Sequence, residues 1–381
     1  MSLGASLTLA QLESDPHPAL AELRQREPVA WVPALDGWLV TSRALCLEVM
    51  RDPDSFTVDD PRFSTAQVVG PSMLSLDGPP HRRHREPFAL EMGQPAVRRR
   101  FGESIDGLAS QLVEGFRSAG RAELRTEFAG PLAAAVMVEA MDLLGVGSDE
   151  ILSWYRAIVD GVNRISAGSE PLPSAASAMD ALGDRVRASA GGDRLLAAAG
   201  ASLQPSDLVS NAAVMLFGGI ETAEGMTANA FWFLLTHPAE LELAVSESSL
   251  RSNAIEESLR LEPAATRVDR FATRDISLGE AMIRRGDLVI VSLAAANRDP
   301  ETFADPDRFD IRRANSRQHL TFAQGPHACV GIHLARLEAL AALNAVLDNL
   351  SDLALEESAS APPRGLVFRK PPAVVATWRA S

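Results

Sequence analysis

Residues able to do redox or covalent chemistry are sparse in this chain of 381 residues, which holds two cysteines and seven histidines. One cysteine, Cys329, lies in "TFAQGPHACVGIHLAR", residues 321–336, between Gly325 and Gly331 and two positions after His327. Leu334, Leu337, Leu340, Leu343, Leu347 and Leu350 recur every three or four positions beyond it, so a helix is expected to start at or just after the thiol. A thiol there meets the positive end of the helix dipole and unpaired N–H groups, which favour its thiolate. The flanking glycines let the backbone approach something bulky and flat. Taken singly, a lone cysteine is more often a small buried hydrophobe. His327 also suits the base of a cysteine nucleophile. Spacing alone leaves all three readings open.

Four other segments place polar groups in patterned positions. Inside the nearly apolar stretch 208–235, "GGIETA" sets Glu221 and Thr222 just after Gly218 and Gly219. Adjacent glycines weaken a helix and invite a kink. The acid and hydroxyl would be a polar island among Met215, Phe217 and Ile220, although Thr222 also suits a back-bonded hydroxyl and Glu221 an exposed one. "EESLR" gives Glu257 and Arg260 at i,i+3, worth only ~0.2–0.5 kcal/mol as a surface pair. "PDRF" supplies Arg308. "DGPPHRRHR" puts His81 and Arg85 at i,i+4, on one face of a helix starting after Pro79-Pro80. Its bland reading is a solvated basic helix start.

Phe322, Gly325, His327, Cys329 and Gly331, followed by Leu334-Ala335-Arg336 and Glu338, together resemble the haem-binding loop of the cytochromes P-450. Ala323 stands where that family usually has glycine. The resemblance implies that the Cys329 thiolate is the axial ligand of haem iron. The haem b would be held non-covalently, since no Cys-x-x-Cys-His is present. Further roles are implied by the same resemblance. Glu221 and Thr222 look like the oxygen-side pair that relays protons to O2, with Ala223 where many relatives carry a second threonine. His81, Arg85, Arg270 in "RVDRFATRD", and His327 match propionate partners, while Phe322, Gly325 and Gly331 shape the loop. Glu257 and Arg260 resemble a structural charge network completed by Arg308.

The implied activity is a haem-thiolate monooxygenase, inserting one oxygen atom into a small to medium apolar or aromatic substrate. Oxidative coupling, desaturation, peroxide-driven oxidation and a non-catalytic haem sensor are the alternatives. Segments 57–75 and 166–205 are where relatives grip substrate. Candidate pocket walls are Phe63, Val68, Val69, Met73, Leu74, Phe217, Ala264, Ala265, Val268, Val367 and Phe368, mostly apolar and modest in size. Electrons would come from a separate ferredoxin and its reductase, steered by Arg82, Arg83 and Arg98-Arg99-Arg100.

The elements that must position these groups are mostly helical. Helices are expected near 17–27, 43–51, 80–117, 126–145, 149–165, 206–236, 238–247, 250–261 and 330–350. Strand patterning appears near 28–41, with a hairpin at Asp36-Gly37, and near 267–293 and 364–378. Residues 166–205, rich in Ala, Gly, Ser and Pro, read as mobile or loosely packed. The expected architecture is a single-domain, mainly α fold with a minor β portion and a long central helix over the haem. A net charge of −14 disfavours nucleic acid as partner. Glu221 and Glu224 in segment 208–235 argue for a buried helix over a membrane span. Two cysteines and no recognisable signal peptide point to a reducing, cytoplasmic setting, with the protein a monomer.

Overall fold

A computed structural model describes residues 2–380, except 144, 167–168 and 190–194. Its axis is the helix Pro205–Thr236, 32 residues long. Pro205 fits the first turn, where its missing N–H is no loss, and Asp207 complements the dipole there. The helix is buried along most of its length, and a helix apolar on every side needs neighbours on every side. Gly130–Ala140, Arg251–Leu261 and Ile332–Asn349 pack around it, the last also against Gln94–Phe116. The helix runs unbroken through Gly218-Gly219. A Cβ at Gly219 would meet Met137 Sδ at 2.2 Å, whereas one at Gly218 would meet nothing within 4 Å. The glycine pair therefore permits close packing on one side and opens space on the other, without a break.

The main sheet has five strands in the order Val29–Val32, Gly37–Val40, Leu288–Ser292, Arg267–Ala272 and Phe56–Thr57. Its hairpin pairs Val29 with Val40 and Val32 with Gly37, turning at Asp36 with φ 48°. Gly37–Val40 then runs parallel to Leu288–Ser292, and the remaining pairs are antiparallel. Val40, Cys46, Val49, Met50, Phe56 and Val289 fill the space between this sheet and the helix Arg43–Arg51. Arg121–Glu123, Val375–Thr377 and Ala354–Leu355 form a smaller sheet, which the sequence pattern did not indicate on its first and last strands.

Three expectations change. The segment 80–117 is two helices, Gly78–Glu91 and Gln94–Phe116, with Pro95 in the first turn of the second, although the first carries Pro87 in its interior. Segment 126–145 opens with a π-helical turn, Leu124–Ala129, capped by the Glu123 carboxylate, and only Gly130–Ala140 is α-helical. The stretch 166–205 is not loosely packed among its described residues. It holds helices Pro173–Ser189 and Leu195–Gly200, with Leu182, Val186, Leu195, Leu196 and Ala199 buried. Its Ala175 packs closely on the preceding helix, where a Cβ at Gly161 would stand 2.9 Å from that of Ala175. Among the described residues no helix is long and apolar enough to cross a membrane.

Candidate active site

The loop carrying Cys329 is held by its own backbone. Cys329 N–H donates to the Phe322 carbonyl at 2.8 Å, and Ala328 N–H to that of Gly325 at 3.1 Å. Gly325 sits at φ 77°, and a Cβ there would lie 2.3 Å from the Met50 carbonyl oxygen, so only glycine fits. Ala323 holds the left-handed conformation, φ 55°, at the place of the family's glycine. The helix Ile332–Asn349 begins three residues after the thiol. Cys329 is enclosed by protein yet keeps an exposed surface, and a Cβ at nearby Gly331 would meet nothing within 4 Å. Desolvation pushes its pKa up, while the Gly331 N–H, Arg85 and Arg336 act the other way. Cys46 differs: it is fully buried, with its thiol donating to the Val40 carbonyl at 3.4 Å.

Beside the loop lie two histidines and two arginines, two of which keep a buried nitrogen without a partner. His81 and His327 bring their rings within 4.3 Å. His81 is buried and its Nε2 has no partner. Burial first, then the neighbouring His327 and Arg85, push its pKa down to about 4. Arg270 is buried too, donating Nη1 to the Asp269 carbonyl at 2.8 Å and leaving Nη2 unpartnered. Arg85 donates to the Ala328 carbonyl next to the thiol. His327 does not stand free: its Nε2 bonds Asp77 Oδ1 at 2.7 Å. Thr57 Oγ1 and Val58 N–H donate to the other Asp77 oxygen at 2.6 and 2.9 Å. Burial would raise the Asp77 pKa, but these bonds hold it well below the usual carboxylate range.

On the central helix the two polar residues point to different partners. Glu221 pairs with Lys370 at 2.9 Å, and Thr222 Oγ1 donates back to the Gly218 carbonyl at 2.5 Å. Lys370 is the single lysine of the sequence. It also reaches Glu224 at 3.2 Å, and Glu224 accepts from Arg125 Nη1 at 2.9 Å.

Arg260 is fully buried and forks onto Glu257 at 2.7 and 2.8 Å. The second arginine on Glu257 is Arg313, at 2.8 Å, and not Arg308. Arg308 is exposed and contributes its carbonyl, to Arg260 Nη2 at 3.1 Å and Arg313 Nη2 at 3.2 Å. Motif spacing could not tell which arginine of the 308–313 run turns inward.

Of the pocket candidates, Val69, Met73 and Ala264 are buried, Ala264 against the face of the central helix at Gly225. Phe63, Val68, Leu74, Phe217, Ala265, Val268, Val367 and Phe368 are half-buried, with Phe217 and Phe368 edge to face at 5.4 Å. Asn211, a polar residue inside the apolar 208–235 stretch, ties the 70–75 loop to the central helix. Its side chain accepts from Met73 N–H at 2.8 Å and lies 2.9 Å from His84 Nδ1.

An unpaired buried donor costs about 1–3 kcal/mol, so His81 and Arg270 call for an acceptor that the described residues do not supply. A flat group bearing carboxylates, set against a thiol in a space opened by glycine, answers that need: the residues fit a haem. A protein-family model described as Cytochrome P450 matches residues 185–375. The chain is similar to "Cytochrome P450 monooxygenase PikC" of Streptomyces venezuelae, 34% identical over 91% of this chain and 86% of that protein. It is 30% identical to the "6-deoxyerythronolide B hydroxylase" of Saccharopolyspora erythraea, over 91% and 93% of the two chains. The crystal structure of P450BioI bound to an acylated acyl carrier protein superposes with TM-score 0.87 at 25% identity, covering 96% of this chain and 98% of that one. The chain belongs to the cytochrome P450 family. It is a haem-dependent monooxygenase whose haem b is held without covalent attachment and whose co-substrate is O2.

Proposed function

We propose that Cys329 is the axial thiolate and that the protein hydroxylates or otherwise oxygenates a compact apolar or aromatic molecule. The observation that carries this is the gathering, around one loop, of an open-facing thiol and the unpartnered donors of His81 and Arg270. The bound haem supplies O2 activation and oxygen transfer; a cysteine ligand makes it electron-rich. The chain's own residues do the rest. Arg85 and Arg270 would neutralise the propionates, His81 would hydrogen-bond them, and His327, braced by Asp77, completes that cluster. The Thr222 hydroxyl is within one rotation of the space that Gly218 leaves open, and there it holds a proton for the oxygen side. Glu221, on leaving Lys370, takes a proton from bulk water on its carboxylate and passes it to the Thr222 hydroxyl, returning to the Lys370 pair as the carboxylate. Phe217, Phe368 and the apolar residues of 63–74 exclude water and orient substrate.

Electrons come in this reading from a separate ferredoxin and reductase. Arg82, Arg98 and Arg99 are exposed and carry no ion pair among the described residues, whereas Arg83 pairs with Asp207 and Arg100 with Glu91. The three open arginines are the cations available to an acidic donor. Both cysteines are free, which suits a reducing, cytoplasmic setting.

The test is the absorption spectrum of the reduced, carbon-monoxide-treated protein. The parent is expected to give the red-shifted Soret band of thiolate ligation, and Cys329→Ser to lose it. A protein that takes up no haem, or a serine variant that keeps the band, would overturn the assignment. A panel of small aromatics, terpenoids and macrolides, titrated against the haem spin state, then ranks substrates.

A further inference from the structure

Glu256 and Glu257 are neighbours in "EESLR" and both are buried, yet they face different partners. Glu257 braces the 304–313 segment through Arg260 and Arg313. Glu256 accepts from Arg336 Nε at 2.7 Å and Nη2 at 2.8 Å, a two-bond fork. Its Oε2 also lies 3.0 Å from His319 Nε2. The Thr321 N–H donates to His319 Nδ1 at 3.2 Å, which assigns the ring proton to Nε2 and makes His319 a neutral donor. Burial would raise the Glu256 pKa, but the His319 and Arg336 bonds bring it to about 2, so this carboxylate is charged.

The two partners of Glu256 converge on one aromatic ring. The Arg336 guanidinium lies over Phe322, 4.9 Å from its centroid, and the His319 ring stands 5.8 Å from the same centroid. Phe322 in turn accepts the Cys329 N–H on its carbonyl at 2.8 Å. The cation reaches the thiol as well: Arg336 and Arg85 are the two cations whose fields favour the Cys329 thiolate.

We propose that Glu256, Arg336 and His319 form a charge-balanced clamp on Phe322 that positions the Cys329 loop and sets how strongly its sulfur donates to iron. This rests on Cys329 being the axial ligand. The three are positioning residues, since each acts through Phe322 or through its field. A bare cation beside the thiolate withdraws charge from it and favours the ferrous state. A carboxylate bonded to that cation cancels most of the field at the sulfur. The planar fork also explains arginine at 336, because lysine cannot stack on the ring while making two parallel bonds to one carboxylate.

The two halves of the pair therefore have opposite signatures. In the haem-loaded protein, Glu256→Gln leaves Arg336 uncompensated and is expected to move the haem reduction potential positive. Arg336→Met leaves Glu256 uncompensated and is expected to move it negative. Each shift is expected to be on the order of a few-fold to tenfold in the ferric-to-ferrous ratio. Arg336→Lys keeps the charge and is expected to hold the potential while converting faster from the thiolate-type carbon-monoxide band to the unligated form. A role confined to stability would move no potential. Shifts of the same sign, or none, in variants that keep the thiolate-type band would overturn the clamp. If Glu256→Gln fails to load haem, the arginine variants decide: a negative shift in Arg336→Met supports the clamp, and an unchanged potential overturns it. Failure of the axial-ligand reading shows separately, as a thiolate-type band surviving in Cys329→Ser.

Discussion

Ala323 keeps a backbone conformation that an L side chain adopts at a cost of ~1–2 kcal/mol. It does so because the turn is fixed on both sides, by its own N–H on the Leu320 carbonyl at 2.8 Å and by Cys329 N–H on that of Phe322. Glycine would relieve the strain but lose more backbone entropy on folding. The net expectation is that Ala323→Gly stabilises the haem-loaded protein by about 0.5–1 kcal/mol in urea unfolding, with the carbon-monoxide band unchanged. A lower midpoint would refute the strain. Single residues of the loop were legible because their spacing is local. Asp77, Lys370 and Arg313 were not, since each meets its partner across a long stretch of chain: Asp77 and His327 are 250 positions apart. Local pattern carries no information about which distant side chain arrives.

At the scale of elements, the same logic explains why helix positions were readable and their interruptions less so. Leucine and alanine periodicity marks Ile332–Asn349 and Pro205–Thr236 almost to the residue. The Ala- and Gly-rich segment 173–200 has few large apolar groups, so its burial depends on how closely neighbours come, which composition does not reveal. The glycine pair of the central helix shows the distinction best. Gly219→Ala would drive a methyl group into Met137 and is expected to cost ~1–3 kcal/mol of stability through overpacking. Gly218→Ala meets open space and is expected to cost nothing, with a gain of up to ~1 kcal/mol from helix propensity. Thermal unfolding of the two variants side by side checks this. Equal losses would mean that the glycines share one role, a kink, and that the unbroken helix is wrong.

Across the whole molecule, two buried glutamates pull the pH dependence of stability in opposite directions. Glu256, held at about 2 against an ordinary value of 4.5, contributes stability that is complete above 4.5 and lost as pH falls towards 2. Glu338 lies in the C-terminal helix, buried, with Oε1 unpartnered, and desolvation raises its pKa to about 8. In the folded protein it stays protonated where the unfolded chain has released its proton. Its contribution is therefore complete below 4.5 and lost progressively as pH rises through 8. Glu338→Gln removes that dependence while keeping the shape of the side chain. The difference in unfolding free energy between variant and parent cancels His81 and His319, whose burial lowers their pKa and gives the reverse slope at acid pH. That difference should move in favour of the variant by up to roughly 4 kcal/mol between about pH 5 and pH 8. Urea unfolding of both haem-loaded proteins at the two pH values measures it. An offset that is the same at both would mean that Glu338 is charged in the fold and has found a partner, and the C-terminal helix would then pack differently around it.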